Sequence, residues 1–295
     1  MSSQTILVTG ASGLVGRPLC RALRERDHQV LTVSRGNSGD FKWDIDSAEF
    51  DASALAGVDV VIHLAGETVA QRWTKEAKAR ILNSRVRSTR LLVDAILATE
   101  KRPALISASG ISYYGVDRAE PMDENAVSGS GFLAEVTRQW EGAAQPLLEM
   151  GLRTVFMRTG IVLSRHGGAL AKMLPPFQLG LGGRVGSGRQ WMSWVSLPDL
   201  VSMYLFAVEN QTLTGAVNAV APYASSNAEF TKILGKVLGR PTFFPFPAAL
   251  VKALFGEMGK ETVLSNLAIL PRKFEEYGFV WRTPNLEQAL KETLQ

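Results

Sequence analysis

Apolar positions in the first half of the chain switch repeatedly between two periods. Thr5 to Thr9 (TILVT) and Gln29 to Ser34 (QVLTVS) are short β-rich runs, and Leu14 to Arg26 between them carries Leu14, Val15, Leu19, Ala22 and Leu23 at helical spacing. Val58 to Leu64, Ala104 to Ala108 and Thr154 to Met157 read as further strands, with helical patterns between them at about Thr74 to Thr99 and Phe132 to Glu149. Strands that alternate with helices need right-handed crossovers, which produce a parallel sheet covered on both faces. The expected fold for residues 1–170 is therefore α/β, a doubly wound Rossmann sheet.

The pattern changes from Gly180. A glycine-rich stretch, LGGRVGSGR, leads to Trp191 and Trp194 and then to a helical segment from Pro198 to Glu209. Pro241, Pro245 and Pro247 precede helical stretches at about Ala248 to Ala268 and Leu286 to Thr293. Residues 171–295 are expected to form a smaller substrate lobe with excursions back into the sheet, including a C-terminal helical domain at about 246–294.

Composition narrows the classes. Hydrophobic residues at 46% and charged residues at 20% are ordinary globular usage. The longest apolar run, Val58 to Ala65, is broken by Asp59 and His63 and is too short to span a bilayer. The start, Met1-Ser-Ser-Gln-Thr, has no charged segment ahead of an apolar one, so a cytoplasmic protein without membrane association is expected. Cys20 is the one cysteine and cannot form an internal disulfide. The net charge of +4 is spread without a basic block, which argues against nucleic acid and suits attraction of phosphorylated small molecules.

Gly10-Ala-Ser-Gly13-Leu-Val-Gly16 follows the first strand and opens the first helix. Glycines at such a turn allow close backbone approach, and the free amides and positive dipole end of the helix receive a pyrophosphate. Gly10, Ser12, Gly13, Leu14, Val15 and Gly16 are accordingly the candidate phosphate cradle. Dinucleotide binders that prefer NAD place an acidic residue at the end of the second strand, to accept from the ribose 2′-hydroxyl. Here Ser34-Arg35 stands there, a hydroxyl and a guanidinium suited to a 2′-phosphate, so NADP(H) is the expected cofactor.

With these features the chain resembles the extended short-chain dehydrogenase/reductase group, the NAD-dependent epimerase/dehydratase family. The carrying segments are TGASGLVG (Thr9 to Gly16), Trp43-Asp44, HLAG (His63 to Gly66), the Ser107 to Gly115 stretch, RTGIVL (Arg158 to Leu163) and SWVSLPDLV (Ser193 to Val201). The resemblance implies Asp44 near the adenine, Leu64, Ala65 and Gly66 along the cofactor, and Arg158, Gly160 and Ile161 toward the nicotinamide. Arg85, which stands where relatives usually carry asparagine, is a further candidate for cofactor contact. GLGGRVGSGRQWMSWV and the tail from Phe246 resemble an atypical "epimerase family" branch with a C-terminal domain of unknown function. The resemblance also implies a homodimer through the helices at Thr74 to Thr99 and Phe132 to Glu149.

The chain departs from the family at the catalytic helix. Relatives use Tyr-x-x-x-Lys, whose spacing puts both side chains on one helix face so that the ammonium lowers the tyrosine pKa. No such motif occurs in the 295 residues. The corresponding pair is Phe132 and Val136, or Leu133 and Thr137 if Glu141 sets the register. Ser109 matches the family's substrate-polarising hydroxyl, although counting back from Tyr114-Gly115 places Gly110 there. Tyr113 is the candidate substitute proton donor, with core or pocket-wall packing as its other reading. His28, His63 and His166 are too scattered for a metal site, and His63 is expected to orient backbone near the cofactor. Arg184, Arg189, Trp191 and Trp194 are candidates for substrate contact; alternatively they hold the small lobe on the sheet. The sequence thus predicts an NADP-binding oxidoreductase or epimerase for a small carbonyl or sugar-type substrate, or else an NADP binder without turnover.

Overall fold

The computed structural model describes residues 3–36 and 38–295; the Met1-Ser2 start lies outside them. The first half runs β1 (Thr5–Thr9), α1 (Gly16–Arg24), β2 (Gln29–Ser34), β3 (Phe41–Asp44), β4 (Glu49–Phe50), β5 (Val60–His63), α2 (Lys75–Ala98), β6 (Ala104–Gly110), α3 (Phe132–Gly142), α4 (Gln145–Glu149) and β7 (Thr154–Thr159). The second half runs β8 (Ile161–Leu163), α5 (Gly168–Gln178), β9 (Trp191–Met192), β10 (Trp194–Ser196), α6 (Leu197–Glu209), β11 (Gly215–Ala219), β12 (Ser225–Ser226), α7 (Asn227–Leu238), α8 (Ala248–Glu261), α9 (Arg272–Glu276) and α10 (Leu286–Leu294).

Eight strands form the central sheet in the order β11-β7-β6-β5-β1-β2-β3-β4, parallel except for the β3–β4 edge pair. From β1 the chain winds first through β2 and β3, then returns to β5 and winds the other way. The direction reverses between β1 and β5, where Thr9 pairs with His63, and a crevice opens outside the carboxyl ends of strands at such a point.

Both faces of the sheet are covered. On one, Leu19 and Leu23 of α1 and Met203, Tyr204 and Ala207 of α6 pack on Ile6, Val8 and Ile62; on the other, Leu92, Val93 and Ile96 of α2 pack with Leu147 of α4 on Leu7, Val61 and Leu105. Each such side chain contributes about 1.5–3 kcal/mol on full burial, before the entropy of ordering it. α2 starts where Thr74 accepts from the Ala77 amide, with Glu76 in its first turn to suit the dipole. A further cluster gathers Phe230 and Leu234 of α7, Leu286 and Leu290 of α10, and Leu163 and Leu170 around Trp194.

Several expected elements are reshaped. The helix expected from Phe132 to Glu149 is two helices, because Pro146 has no amide to continue the ladder. The stretch expected to be helical to Ala268 ends at Glu261, with a break at Gly256 (φ +57°); beyond it Asn266 and Ile269 form bridges with Asp117 and Met122. The excursion into the sheet is β11, which pairs with β7. Among the described residues no helix is long and apolar enough to cross a membrane.

Candidate functional site

An open groove of about 1050 Å³ lies at the switch point. Its floor is the turn from β1 into α1, where Gly10 has φ +69° and a Cβ would stand 2.8 Å from the Leu64 carbonyl carbon. A Cβ on Gly16 would lie 2.2 Å from the Gly10 oxygen, so α1 can start this close to β1 only with glycine. Gly13 has no such crowding: a Cβ there would meet only the Gly10 oxygen, at 3.2 Å, and the residue lines the groove with Gly10, Ala11 and Ser12. No side chain caps α1; Arg17 donates its amide to the Gly13 carbonyl at 3.2 Å and Pro18 has none, which leaves the Gly16 amide and the helix dipole for a ligand. Leu14 packs against Gly167 and Gly168, and Val15 and Gly16 turn inward as parts of the turn itself.

Leu64, Ala65 and Gly66 form the opposite wall. Behind them His63 is fully buried, with Nδ1 2.7 Å from the Thr9 hydroxyl and Nε2 3.1 Å from the Ser88 hydroxyl. Thr9 Oγ1 also accepts from the Ala65 amide at 3.3 Å. The chain closes when Thr9 donates to Nδ1, Nε2 donates to Ser88 and Ser88 donates to the Ser84 carbonyl at 2.7 Å. Burial, assisted by the Arg85 charge, pushes His63 down to about 3. It is a neutral support for the wall rather than a base.

The far end of the groove is basic. Arg17, Arg21 and Arg24 of α1 line it at i, i+4 and i+7, opposite Ser34 and Arg35 from the end of β2, with Trp43 and Ile45 beneath. Asp40 lies here too, but its Oδ2 accepts both the amide and the hydroxyl of Thr32, each at 2.8 Å. The sequence reading did not single out the three α1 arginines, although their helical spacing was the available signal. Asp44 stands at the end of β3 and is not among the groove-lining residues. Its carboxylate accepts from the Asp46 amide at 2.8 Å and the Ser47 amide at 3.4 Å to form a turn, and its neighbours Trp43 and Ile45 line the groove instead.

The carboxyl ends of β6 and β7 hold a buried polar network. Ser109 Oγ donates to Glu141 Oε1 at 2.6 Å, and Arg158 forks onto the same carboxylate at 2.9 and 2.8 Å. Arg158 Nη1 donates to the Tyr114 hydroxyl at 3.0 Å, which donates to Asn218 Oδ1 at 2.8 Å. Burial works against the Arg158 charge, but Glu141 and Tyr114 more than offset it and hold the guanidinium above its ordinary value; burial pushes Tyr114 up to about 12. Arg158 is 4% exposed, and each of its three nitrogens donates within this network. The half-buried Tyr113 ring lies 3.4 Å from the Arg158 Cζ, so the packing reading of this residue also has substance. Gly160 and Ile161 are held by close backbone packing. A Cβ on Gly160 would lie 2.6 Å from the Ser193 carbonyl oxygen, and Ile161 pairs with Trp194 between β8 and β10.

On α3, Leu133 and Val136 are buried and Thr137 returns its hydroxyl to the Leu133 and Ala134 carbonyls, so neither Phe132 with Val136 nor Leu133 with Thr137 supplies an acid or base. The helix has no cap of its own after Gly131. Glu261 from the end of α8 accepts the Phe132 and Leu133 amides at 2.8 and 2.9 Å. Arg85 sits between α2 and α3, its Cζ 5.1 Å from the Trp140 ring centroid.

Trp194 is 1% exposed and packed in the cluster of Phe230, Leu234, Leu286 and Leu290. Trp191 is exposed, its amide held by Asn266 Oδ1; Arg184 donates to the Ser187 carbonyl at 3.1 Å within its own loop, and Arg189 is exposed. Among the described residues no three His, Cys, Asp or Glu side chains gather to hold a metal.

A glycine turn at the switch point of a doubly wound sheet, with an uncapped helix behind it and a basic far end, defines a dinucleotide-binding α/β protein. The chain belongs to the NAD dependent epimerase/dehydratase family, whose pattern matches residues 6–220; a domain of unknown function, DUF1731, matches residues 246–293. It is 41% identical over 294 residues to an epimerase family protein of Mycobacterium bovis, covering 98% of this chain and 97% of that one. It is similar to the crystal structure of human epimerase family protein SDR39U1 (isoform 2) with NADPH, at TM-score 0.90 and 35% identity, covering 98% of both chains. A nucleoside-diphosphate sugar epimerase from Corynebacterium glutamicum matches at TM-score 0.82 and 34% identity, over 99% of this chain and 58% of that one.

Proposed function

We propose that this chain binds NADP(H) in the switch-point groove and works as an oxidoreductase or epimerase on a small carbonyl or sugar-type substrate. The observation that carries the reading is the gathering of Arg17, Arg21, Arg24 and Arg35 at the end of β2, beside an Asp40 whose Oδ2 is already engaged. Guanidinium groups there suit a 2′-phosphate by forked, charge-assisted hydrogen bonds. The relative crystallised with NADPH supports the same choice. The turn fits the group, since Gly13 leaves open the space a pyrophosphate needs and α1 offers its uncapped start.

NADP(H), when bound, supplies or accepts a hydride at C4 of the nicotinamide. Ser109, whose proton goes to Glu141, offers a substrate an acceptor, and so suits a hydroxyl better than a carbonyl. Tyr113 is the phenol at this end without a hydrogen-bond partner among the described residues, and it is the group assigned to donate a proton to a substrate oxygen. Cytoplasmic residence belongs to the same proposal, because the single buried cysteine needs no oxidising compartment.

Titration of NADPH and NADH by tryptophan fluorescence tests the cofactor half. NADPH should bind at least about tenfold more tightly, and Arg35→Ala should remove most of that preference. Equal affinities would refute the assignment. The chemical half is tested with aldehydes, ketones and nucleotide sugars while NADPH absorbance is followed. A second reading, an NADP binder without turnover, is favoured by Leu133 and Thr137 in place of the catalytic pair. Tight NADPH binding with silence across the panel selects it.

A further inference from the structure

Two guanidinium groups stand near the wall end of the groove, and their hydrogen bonding differs. Arg158 places a hydrogen bond from each of its three nitrogens on Glu141 or Tyr114. Arg85, on α2, donates from Nη1 to the Ile81 carbonyl at 3.0 Å, and that is its one acceptor among the described residues. The residue is half-buried, and its Nε and Nη2 have no acceptor among the described residues. The guanidinium adjoins the groove: a Cβ on Gly66, which lines it, would lie 3.2 Å from Arg85 Cζ and 3.3 Å from Nη2.

The neighbouring helix α3 offers no cation here. Thr137 is closed on its own helix with its methyl 3.7 Å from the Cβ position of Gly110, and Arg138 pairs with Glu135 on the exposed side. We propose that Arg85 provides from α2 the positive charge that α3 lacks, and holds the nicotinamide-ribose end of the dinucleotide by charged hydrogen bonds from its free N–H groups. The proposal rests on the NADP(H) reading. The Trp140 ring at 5.1 Å and the Ile81 carbonyl fix the guanidinium plane before any ligand arrives, which limits the entropy lost on binding. Burial lowers Arg85 to about 10, with Glu67 opposing, so it remains a cation at neutral pH. Arg85 is thus a cofactor-positioning residue.

The test compares two ligands on the full chain by calorimetry: NADPH, and adenosine 2′,5′-bisphosphate, which carries only the adenine end. Arg85→Ala should weaken NADPH about 10- to 100-fold while leaving the bisphosphate within about twofold, and Arg85→Lys should recover part of the loss. Thermal melting without ligand checks the fold, and Arg85→Gln serves the same comparison if the alanine variant does not fold. Equal weakening of both ligands would show a structural prop between α2 and α3, and no weakening of either would show an idle side chain; each overturns the proposal. Binding of neither ligand by the unaltered chain sinks the NADP(H) reading itself, a result separable from the other two.

Discussion

Acidification from about pH 7.5 to about pH 5 should cost the protein about 2 kcal/mol through His63 alone. In the unfolded chain an imidazole titrates near 6.5. In the fold, burial and the Arg85 charge lower it to about 3, so between these values the unfolded state binds a proton that the native state refuses. Stability therefore rises with pH across this window, and is lost as pH falls below the unfolded value. At pH 5 the unfolded imidazole gains RT ln(1 + 10^1.5), about 2 kcal/mol, a figure insensitive to the native value so long as it stays below about 4. Urea unfolding at both pH values, for the unaltered chain and for His63→Gln, isolates the effect. His28 and His166 are present in both proteins and cancel. The variant's deficit at neutral pH should shrink by about 2 kcal/mol at pH 5. Parallel stability profiles would refute the reasoning and place a charged or solvated imidazole behind the groove wall.

Glu141→Gln should cost about 3–5 kcal/mol by thermal denaturation, because Arg158 would keep its charge at 4% exposure without a counter-ion. The paired change Glu141→Leu with Arg158→Met should be milder than Glu141→Gln; a worse pair would mean the network holds more than its own charges. Gly16→Ala should cost about 3 kcal/mol or more and abolish NADPH binding, since its Cβ would meet the Gly10 oxygen at 2.2 Å, whereas Gly57→Ala, at φ +72° with nothing within 4 Å, should cost only about 1–2 kcal/mol of backbone strain. Glu124→Gln should become more favourable relative to the unaltered chain as pH rises. Burial lifts the Glu124 carboxyl above its ordinary value, so ionisation in the fold carries a penalty that begins above the unfolded carboxylate range; urea midpoints compared at acidic and neutral pH check it.

The fold was legible wherever local pattern and global fold agree. The alternating strands, the glycine turn and Thr74 ahead of α2 each announce their element by spacing or capping chemistry. α7 was also legible and was passed over: Ser226-Asn-Ala-Glu229 is a capping box, and Ser226 accepts from the Glu229 amide. α5 was hidden by Pro175 and Pro176, which read as helix breakers yet lie inside it. The groove's position followed from the turn, but the role of Arg158 did not, because nothing in RTGIVL shows that Glu141 from another helix will claim its guanidinium. Trp194 stayed open between two readings for a similar reason: an aromatic beside a glycine-rich loop suits a pocket wall and a core equally, and only tertiary burial separates them.

The C-terminal segment resolves why α3 stands where it does without the family's catalytic pair. Glu261 accepts the first two amides of that helix, and its carboxylate lies within 3.1 Å of where a Gly131 Cβ would be; Gly131 at φ +122° admits it. Asn266 then accepts the Trp191 amide and donates to Asp117, while Ser193 accepts from the Ile269 amide and donates to the Leu267 carbonyl. Farther on, Asp199 at the start of α6 takes the Arg282 and Thr283 amides and the Thr283 hydroxyl. Three successive stretches of the tail are thus pinned by directional bonds to α3, to the β9–β10 region and to α6. Buried hydrogen bonds of this kind each contribute about 1 kcal/mol, and leaving one partner unsatisfied costs about 1–3 kcal/mol. The tail is therefore part of the site's architecture: removing it would uncap α3 and strip Leu267 and Ile269 from the cluster that holds Tyr113 and Tyr114.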